Sequence, residues 1–214
     1  NTYGSTEIGM HSFSQNVLPI GTEETVYNNM GKAEGIFCEV RLVNSNGEEV
    51  PDGEPGELVI RTPMMFSGYW NNPEENEKVF RDGWFYTGDV LRRNPDGTLD
   101  FVSRTKYMIK SGGENIYPAE IERILLSHPQ ITEAVVVGAK HQKWGETPIA
   151  FVSVTSDVKP EDLKDYCRQN GLARYKVPNV IEIVNMEDFP RNTSGKVVRE
   201  KVEEWIENVK SKII

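Results

Sequence analysis

The sequence has few of the residues that build disulfide-bonded, metal-stabilised or histidine-dependent sites. Its 214 residues include only two cysteines, Cys38 and Cys167, and three histidines. Two cysteines cannot form a disulfide framework or a cysteine-rich metal set, and the histidines fit neither a Ser-His-Asp set nor a metal-ligand spacing. We therefore expect a reduced, cytoplasmic setting and interpret both cysteines as structural.

Long apolar runs and an excess of positive charge are also missing. No apolar stretch approaches the length of a membrane span, and we expect no secretory leader. Asp and Glu (33) outnumber Lys and Arg (24), which gives a formal charge of −9. This charge argues against a general nucleic-acid surface but leaves room for a local basic site. Hydrophobic residues still make up 37% of the chain, enough for one large or two small domains.

The first half of the chain is patterned for β-structure. Residues 36–43 alternate between apolar and polar side chains, and residues 58–60 form a short apolar run. Pro73 predicts a short helix that ends near Phe80, and residues 98–103 predict another strand. Many short strands separated by Gly and Pro turns favour a small, barrel-like sheet.

The second half alternates between helices and strands. Pro118 predicts a helix that ends near Leu126, and Pro160 predicts another that ends by Gly171. Strands are expected at residues 134–139, 149–155 and 180–184. One last helix is expected from apolar positions 4, 3 and 4 residues apart, namely Val198, Val202, Trp205 and Val209. These elements predict a compact α+β domain with a three-stranded sheet.

Residues 104–122 separate the two halves. Three of the first seven are cations: Arg104, Lys106 and Lys110. Gly112 and Gly113 follow, and adjacent glycines allow positive φ angles or a close approach of the backbone to a ligand. A flexible basic segment before a stiff helix suits a joint between two domains. An exposed basic loop before a helix fits the same residues.

The first residues combine side chains that suit a nucleotide. Tyr3 can stack on a flat ring, Thr6 can donate to a phosphate oxygen, and Glu7 can hold a hard cation such as Mg²⁺. Each feature alone is weak, because a Tyr-Gly pair such as Tyr3-Gly4 is also typical of a turn.

Four separated stretches resemble one family, the adenylate-forming superfamily of acyl-CoA synthetases, luciferases and peptide-synthetase adenylation domains. They are residues 3–7 (Tyr-Gly-Ser-Thr-Glu), 86–89 (Tyr-Thr-Gly-Asp), 104–122 and 192–196 (Asn-Thr-Ser-Gly-Lys). The resemblance implies a reaction in two steps. A carboxylate attacks the α-phosphate of ATP to give an acyl-adenylate and pyrophosphate, and a thiol, usually that of coenzyme A, then displaces AMP. It also implies that a small C-terminal domain rotates between the steps.

The resemblance assigns most of the nucleotide site to the first half of the chain. The nucleotide-binding residues that it implies are Tyr3, Gly4, Thr6, Asp89, Arg104 and Lys196. Tyr3 would stack on adenine, Thr6 would contact a phosphate, and Asp89 and Arg104 would hold the ribose. Glu7 would help to bind Mg²⁺. Read without the resemblance, Asp89 is also consistent with a plain turn residue.

The remaining roles fall on the joint and the second half. Lys106 occupies the hinge position of the family. Gly112 and Gly113 resemble the turn beside the pantetheine of coenzyme A, although they also suit a simple helix lead-in, and Lys110 either contacts coenzyme A or is solvated. Lys196 resembles the catalytic lysine that bridges the substrate carboxylate and the α-phosphate, where a positioned ammonium stabilises the developing negative charge.

The sequence departs from the family pattern at Ser103, where Gly or Asp is common, and at Tyr107, where an acid often follows the hinge residue. The phosphate loop and most of the acyl pocket are expected before Tyr3. The resemblance thus implies a β-rich end of a large nucleotide-binding domain at residues 1–103, a hinge at 104–110 and a mobile α+β domain at 111–214.

The function implied is that of a C-terminal part of an AMP-forming acyl-CoA synthetase for fatty or other organic acids, inactive by itself. Its expected partners are the acid, ATP, Mg²⁺ and coenzyme A, with no nucleic acid and no membrane span, and its oligomeric state stays open. One alternative is a free-standing adenylation domain that loads an amino or aryl acid. Another is a non-catalytic interaction module, against which the presence of Glu7, Asp89 and Lys196 argues.

Overall fold

The computed structural model describes residues 2–14, 29–33 and 38–213. The chain divides into two compact units, Asn1–Lys106 and Tyr107–Ile214, and this boundary lies inside the segment 104–110. The predicted α+β class is confirmed, with sheets and helices in both units. Among the described residues, none of the helices combines the length and the apolar character needed to cross a membrane.

Two sheets and one α-helix make up the described part of the first unit. The first sheet contains β1 (Thr2–Ser5), β2 (Gly9–Ser14) and β3 (Lys32–Ala33), in that order. The second contains β4 (Glu39–Val43), β5 (Pro55–Arg61), β6 (Phe80–Arg81), β7 (Trp84–Arg93) and β8 (Leu99–Arg104). Its order is β4-β5-β7-β6, and β8 also pairs with β7. The strand predicted at residues 36–43 is seen from Glu39, and residues 36 and 37 lie outside the described part.

Helix α1 (Pro73–Val79) begins and ends as the sequence predicts. The Asn72 side chain accepts a hydrogen bond from the Glu75 N–H at 3.3 Å, which caps the first turn. Behind the sheet, Leu58, Ile60 and Leu91 are fully buried in one apolar cluster that also includes Tyr3 and Ile8. The first residues of the chain therefore pack on the same core as β5 and β7.

The second unit is built on a five-stranded sheet. Its strands are β9 (Ile109–Ser111), β10 (Glu114–Ile116), β11 (Ile131–His141), β12 (Gly145–Val154) and β13 (Val180–Ile183). Their order is β10-β9-β12-β11, and β13 runs parallel to β12. The helices are α2 (Pro118–Leu126), α3 (Pro160–Gln169), α4 (Arg199–Glu203) and α5 (Ile206–Val209).

The central strands of this sheet are buried on both faces. One cluster contains Ile121 of α2 and Leu163 of α3, together with the buried thiol of Cys167. The other contains Val202 of α4 and Val209 of α5. Apolar residues therefore run continuously along β11 and β12, as in strands that are covered by helices on each side.

The second unit differs from the expectation in two places. The three predicted strands are present as β11, β12 and β13, but β9 and β10 extend the sheet to five strands. The expected last helix is divided into α4 and α5, where Trp205 packs against Phe151 and Phe189 with ring centroids 5.3 and 5.5 Å apart. Tertiary packing here overrides a helical periodicity that still places Val202 and Val209 in the core.

Each unit has one shielded and one exposed tryptophan. In the first unit Trp84 is 8% exposed under Arg41 and Arg61, whereas Trp70 is 97% exposed. In the second unit Trp205 packs against its core cluster, whereas Trp144 is 47% exposed.

Candidate active site

A cleft of about 310 Å³ lies in the first unit beside β1 and the middle of β7. Four of the predicted site residues line it: Tyr3, Glu7, Asp89 and Arg104. The sequence did not single out other polar residues that line the same cleft, namely Ser5, Glu57, Tyr69, Glu75, Lys78 and Arg81. Gly4, in β1, and Thr6, in the turn that follows, are both exposed and are not part of this lining.

A bulge in β7 places Asp89 in the cleft. Val59 pairs with Tyr86 and Glu57 pairs with Val90, so residues 87–89 of β7 stand opposite one residue of β5. Gly88 has a φ angle of +72°, a conformation that glycine adopts without the penalty of a Cβ atom. The extra residues bend the strand and redirect its side chains, as β-bulges do beside functional sites.

Hydrogen bonds from side chains hold the bulge in place. The Thr87 hydroxyl donates to the Leu58 carbonyl at 2.9 Å and accepts from the Asp89 N–H at 3.1 Å. The Gly88 N–H donates to Glu57 Oε1 at 3.1 Å. The Thr-Gly-Asp triplet is therefore held both by its own Thr87 hydroxyl and by residues of β5, and Asp89 lies within β7 and not in a plain turn.

The two oxygens of Asp89 have different surroundings. Oδ2 accepts a hydrogen bond from the Tyr3 hydroxyl at 2.7 Å. Oδ1 lies 2.9 Å from Arg104 Nε, an ion pair, but it is buried and has no hydrogen-bond partner within the described residues. A buried oxygen that accepts no well-aligned hydrogen bond is uncommon in a folded protein, and a ligand hydroxyl is one group that can donate to it.

Burial is the largest influence on the pKa values of Asp89 and Tyr3. It raises the pKa of Asp89, although the hydrogen bond from Tyr3 and the charge of Arg104 act in the opposite direction. Burial also raises the pKa of the Tyr3 phenol, and the Asp89 carboxylate adds to that shift. The Tyr3 phenol therefore stays protonated and remains a donor to Asp89.

Glu7 lies at the side of the cleft and is held by a neighbouring tyrosine. The Tyr69 hydroxyl donates to Glu7 Oε1 at 3.1 Å. The backbone of Tyr69 is fixed in turn, since its N–H donates to Asn76 Oδ1 at 2.6 Å and its carbonyl accepts from Asn76 Nδ2 at 3.0 Å. Partial burial raises the pKa of Glu7, but hydrogen bonds from Ser5 and Tyr69 and the charge of Arg104 outweigh it and lower the pKa overall.

An ionised Glu7 suits a hard cation that is shared with a ligand. Among the described residues, no group of three or more His, Cys, Asp or Glu side chains is placed to hold a metal ion. A magnesium ion needs no such group, because it typically keeps several waters and binds one or two carboxylates together with phosphate oxygens. One fixed carboxylate therefore fits a magnesium-nucleotide complex better than a metal bound by protein alone.

Lys196 lies in an exposed loop of the second unit. The carboxamide oxygen of Asn192 accepts hydrogen bonds from the N–H groups of Ser194 and Lys196, each at 3.0 Å. Gly195 has a φ angle of +80°. The loop backbone is thus closed on itself, while the Lys196 ammonium has no hydrogen bond or ion pair within the part of the chain that the structure describes.

Gly112 and Gly113 form the two-residue turn of the hairpin between β9 and β10. Their φ angles are +59° and +91°, and positive values at both positions match the turn that best suits the twist of a hairpin. The Gly112 N–H donates to the Trp144 carbonyl at 2.8 Å. A Cβ atom at Gly112 would lie 2.9 Å from Trp144 Cε3, whereas Gly113 faces open space.

The ring of Trp144 is half-exposed beside this turn. The Lys143 ammonium lies 4.5 Å from the ring centroid. Lys110 is exposed, and its backbone N–H donates to Glu146 Oε2 at 2.7 Å. The hairpin thus presents an aromatic surface with nearby cations, which no periodic pattern in the sequence could have revealed.

Lys106 is exposed and ends the first unit. It is the middle residue of a 3-10 turn, Thr105–Tyr107, that follows β8 directly. The predicted hinge residue therefore lies at the last position before the second unit, and its role as a hinge stays a prediction.

The chain is similar to a family of AMP-binding enzymes. The model of the AMP-binding enzyme family matches residues 1–70, and that of the AMP-binding enzyme C-terminal domain matches residues 120–196. A 2-succinylbenzoate–CoA ligase of Bacillus licheniformis is 37% identical over 91% of the chain and 40% of its own length.

Solved structures agree with this similarity. The o-succinylbenzoate coenzyme A synthetase of Bacillus subtilis, in complex with ATP and magnesium, has a TM-score of 0.79 at 34% identity and matches 94% of the chain. An amide bond synthetase of Marinactinospora thermotolerans has a TM-score of 0.77 at 32% identity and matches 86%. The chain spans only 40% and 37% of these two proteins, respectively.

Proposed function

The chain belongs to the AMP-binding enzyme family, and we propose that it is the C-terminal part of an ATP-dependent acid–CoA ligase. The full-length enzyme forms an acyl-adenylate from a carboxylic acid and ATP, and then transfers the acyl group to coenzyme A. This activity belongs to the whole protein, because the chain spans about two fifths of the length of its curated relatives.

The observation that carries the proposal is the buried Asp89 Oδ1, which is ion-paired with Arg104 but accepts no well-aligned hydrogen bond within the described residues. A ribose hydroxyl of the nucleotide is a donor of the right kind for this oxygen. Arg104 lies beside the same carboxylate and Glu7 lines the same cleft, so cationic and metal-binding groups are close by. These residues fit ATP with magnesium, with Tyr3 and Thr6 proposed at the adenine and a phosphate.

Lys196 is the proposed catalytic residue of the first step. When the carboxylate attacks the α-phosphate, negative charge accumulates on oxygen atoms, and a positioned ammonium stabilises that charge. The Lys196 ammonium has no competing partner among the described residues. The loop closed by Asn192 limits the number of orientations that the lysine backbone adopts.

The hairpin turn at Gly112 and Gly113 is the proposed coenzyme A surface for the second step. Gly113 leaves its backbone open to an approaching chain, and the exposed ring of Trp144 offers a flat apolar contact. Lys110 and Lys143 supply positive charge for the phosphates of coenzyme A. This proposal adds Trp144 and Lys143 to the residues that the sequence suggested.

The curated relatives point to 2-succinylbenzoate as the first acid to assay. Their names give the finer substrate class that the sequence left as fatty or other organic acids, and none of the similar proteins named above is a fatty-acid enzyme. The similarity to an amide bond synthetase favours a second candidate, in which an amine replaces the thiol as acyl acceptor. Supplying coenzyme A or an amine to the same acyl-adenylate separates the two.

The function is tested with Lys196→Ala in the full-length protein. Pyrophosphate release from ATP and 2-succinylbenzoate should fall about 10²–10³-fold, which is typical for the loss of one electrostatic donor. Thioester formation from supplied acyl-adenylate should persist, because the bond between the carboxylate and the α-phosphate, whose formation Lys196 is proposed to assist, is already present in that substrate. Lys201→Ala, at an exposed lysine of α4, is the matched control. Equal loss of both half-reactions in Lys196→Ala would contradict the proposed role.

A further inference from the structure

We propose that Tyr107 and Arg199 are positioning residues. They would hold the Lys196 loop at a fixed position relative to the segment that follows the hinge. The inference rests on the proposed function, since it assigns a purpose to the orientation of Lys196. It also gives a physical reason for the tyrosine at position 107, where the family pattern leads us to expect an acid.

The first two residues of α4 contact Tyr107. The Arg199 guanidinium lies 4.9 Å from the centroid of the Tyr107 ring, within the range of a cation–π contact. The Tyr107 hydroxyl donates to Glu200 Oε1 at 2.8 Å. A single side chain next to Lys106 is therefore attached to a helix more than ninety positions further along the chain (200 − 107 = 93).

Arg199 is itself fixed by a partly buried network. Its Nη1 lies 2.7 Å from Glu122 Oε1 on α2, with the two side chains 20% and 14% exposed, and it also donates to the Val136 carbonyl on β11. Glu122 Oε1 accepts the Val136 N–H at 2.7 Å. Charge-assisted hydrogen bonds of this kind fix orientation as well as contact, so α2, β11 and the start of α4 form one rigid frame.

The Lys196 loop (residues 191–197) is joined directly to this frame at the start of α4. Only Val197 and Val198 separate Lys196 from Arg199. The Val198 N–H donates to the Pro190 carbonyl at 2.7 Å, and Arg191 pairs with Val197, so the base of the loop is closed. A movement of the backbone at Lys106 would therefore be transmitted to the Lys196 loop through the contacts of Tyr107 with Arg199.

The chemistry at position 107 is consistent with this role. The tyrosine attracts the Arg199 guanidinium through the negative face of its ring, and its hydroxyl adds the hydrogen bond to Glu200. Position 107 therefore makes two separate contacts with the start of α4.

A double-mutant cycle in the full-length protein tests the inference. Tyr107→Leu removes the ring and should lower the rate of acyl-adenylate formation about tenfold, since small misplacements of a reacting group slow chemistry strongly. In a Lys196→Ala background the same substitution should have almost no further effect, because no ammonium is left to misplace. Tyr175→Leu is the matched control, because Tyr175 also contacts a lysine (Lys176, 5.8 Å) in the same unit.

The outcomes separate the inference from the function on which it rests. If Tyr107→Leu slows adenylation equally in both backgrounds, or slows thioester formation to the same extent, positioning of Lys196 is wrong. If Lys196→Ala alone leaves adenylation intact, the proposed function is wrong instead.

A second pair of variants keeps the test decisive if Tyr107→Leu fails to fold. Tyr107→Phe keeps the ring beside Arg199, whereas Tyr107→Met has a similar length without the aromatic face. Adenylation should therefore be several-fold faster in Tyr107→Phe than in Tyr107→Met, and equal rates would overturn the inference.

Discussion

Asp89 is a carboxylate that the fold keeps away from water. Because burial raises its pKa above the unfolded value, the folded state binds the proton more readily. The stability that this protonation contributes is fully present in acid, below the unfolded pKa, and is lost as the pH rises through the raised folded pKa. At neutral pH the ionised Asp89 therefore weakens the free protein, as expected for a residue retained to bind a ligand.

We expect Asp89→Asn to stabilise the chain at pH 7 by about 0.5–2 kcal/mol and to abolish ATP binding in the full-length protein. The amide oxygen still accepts from Tyr3, and no buried charge remains. The measurement is thermal unfolding between pH 4 and pH 8, where the gain should be larger at high pH. Asp52→Asn, at a surface ion pair with a 74% exposed carboxylate, should change stability little. A destabilised Asp89→Asn protein at pH 7 would count against burial as the dominant influence.

Among the individual residues of the site, those within short local motifs were predicted correctly from the sequence to lie close together. Tyr3, Glu7, Asp89 and Arg104 all line one cleft. The sequence missed Tyr69, which contacts Glu7 from 62 positions away, and Glu57, which supports Gly88 from 31 positions away. Such partners meet only through strand pairing and packing, so local spacing contains no signal for them.

Among the elements, the β9–β10 hairpin combines a turn that requires positive φ angles with close packing. Both turn residues have positive φ angles, but only Gly112 lies against the Trp144 ring. A side chain at Gly112 would cost free energy twice, through the positive φ angle and through the clash with the Trp144 ring. A side chain at Gly113 would carry only the cost of the positive φ angle, roughly 1–3 kcal/mol.

Gly112→Ala should therefore lower the free energy of unfolding more than Gly113→Ala does, by at least about 1 kcal/mol. Urea titration of both variants against the parent chain gives the comparison. In the full-length protein, Gly112→Ala should also slow thioester formation more than adenylation, because the Trp144 surface shifts. Equal destabilisation by the two substitutions would mean that the contact with Trp144 is of no consequence.

Elements with strong periodicity were predicted well, and short polar ones were not. Helix α2 and the long strands β11 and β12 follow from runs of apolar residues and from proline at the helix start. The strands β9 and β10 are only three residues each, too short for alternation to identify. The last helix is divided at Trp205, whose ring contacts Phe151 and Phe189, and a local sequence window does not identify such distant partners.

The molecule as a whole consists of two units, and the chain passes from the first to the second once, between Lys106 and Tyr107. Next to this point the Thr105 hydroxyl is buried without a hydrogen-bond partner within the described residues. The hinge role of the turn at Thr105–Tyr107 stays a proposal, supported by its position at the boundary between the two units.

Limited proteolysis of the chain should cut first within residues 104–113, since relative motion is the usual behaviour of domains joined by one short segment. Two fragments that match the two units should accumulate, and mass spectrometry identifies the cut. Lys143, in the exposed turn between β11 and β12 and outside the hinge, is the internal control for trypsin. First cleavage within residues 135–155 would contradict the proposed hinge.

The distribution of the tryptophans makes each unit its own optical reporter. Trp84 and Trp205 are held in packed surroundings, whereas Trp70 and Trp144 face solvent. Replacing the two exposed indoles with phenylalanine would leave one shielded emitter per unit. The emission wavelength of each remaining tryptophan, and its quenching by a soluble quencher, would then report the unfolding of its own unit. If the two units unfold independently, two separate fluorescence transitions should appear.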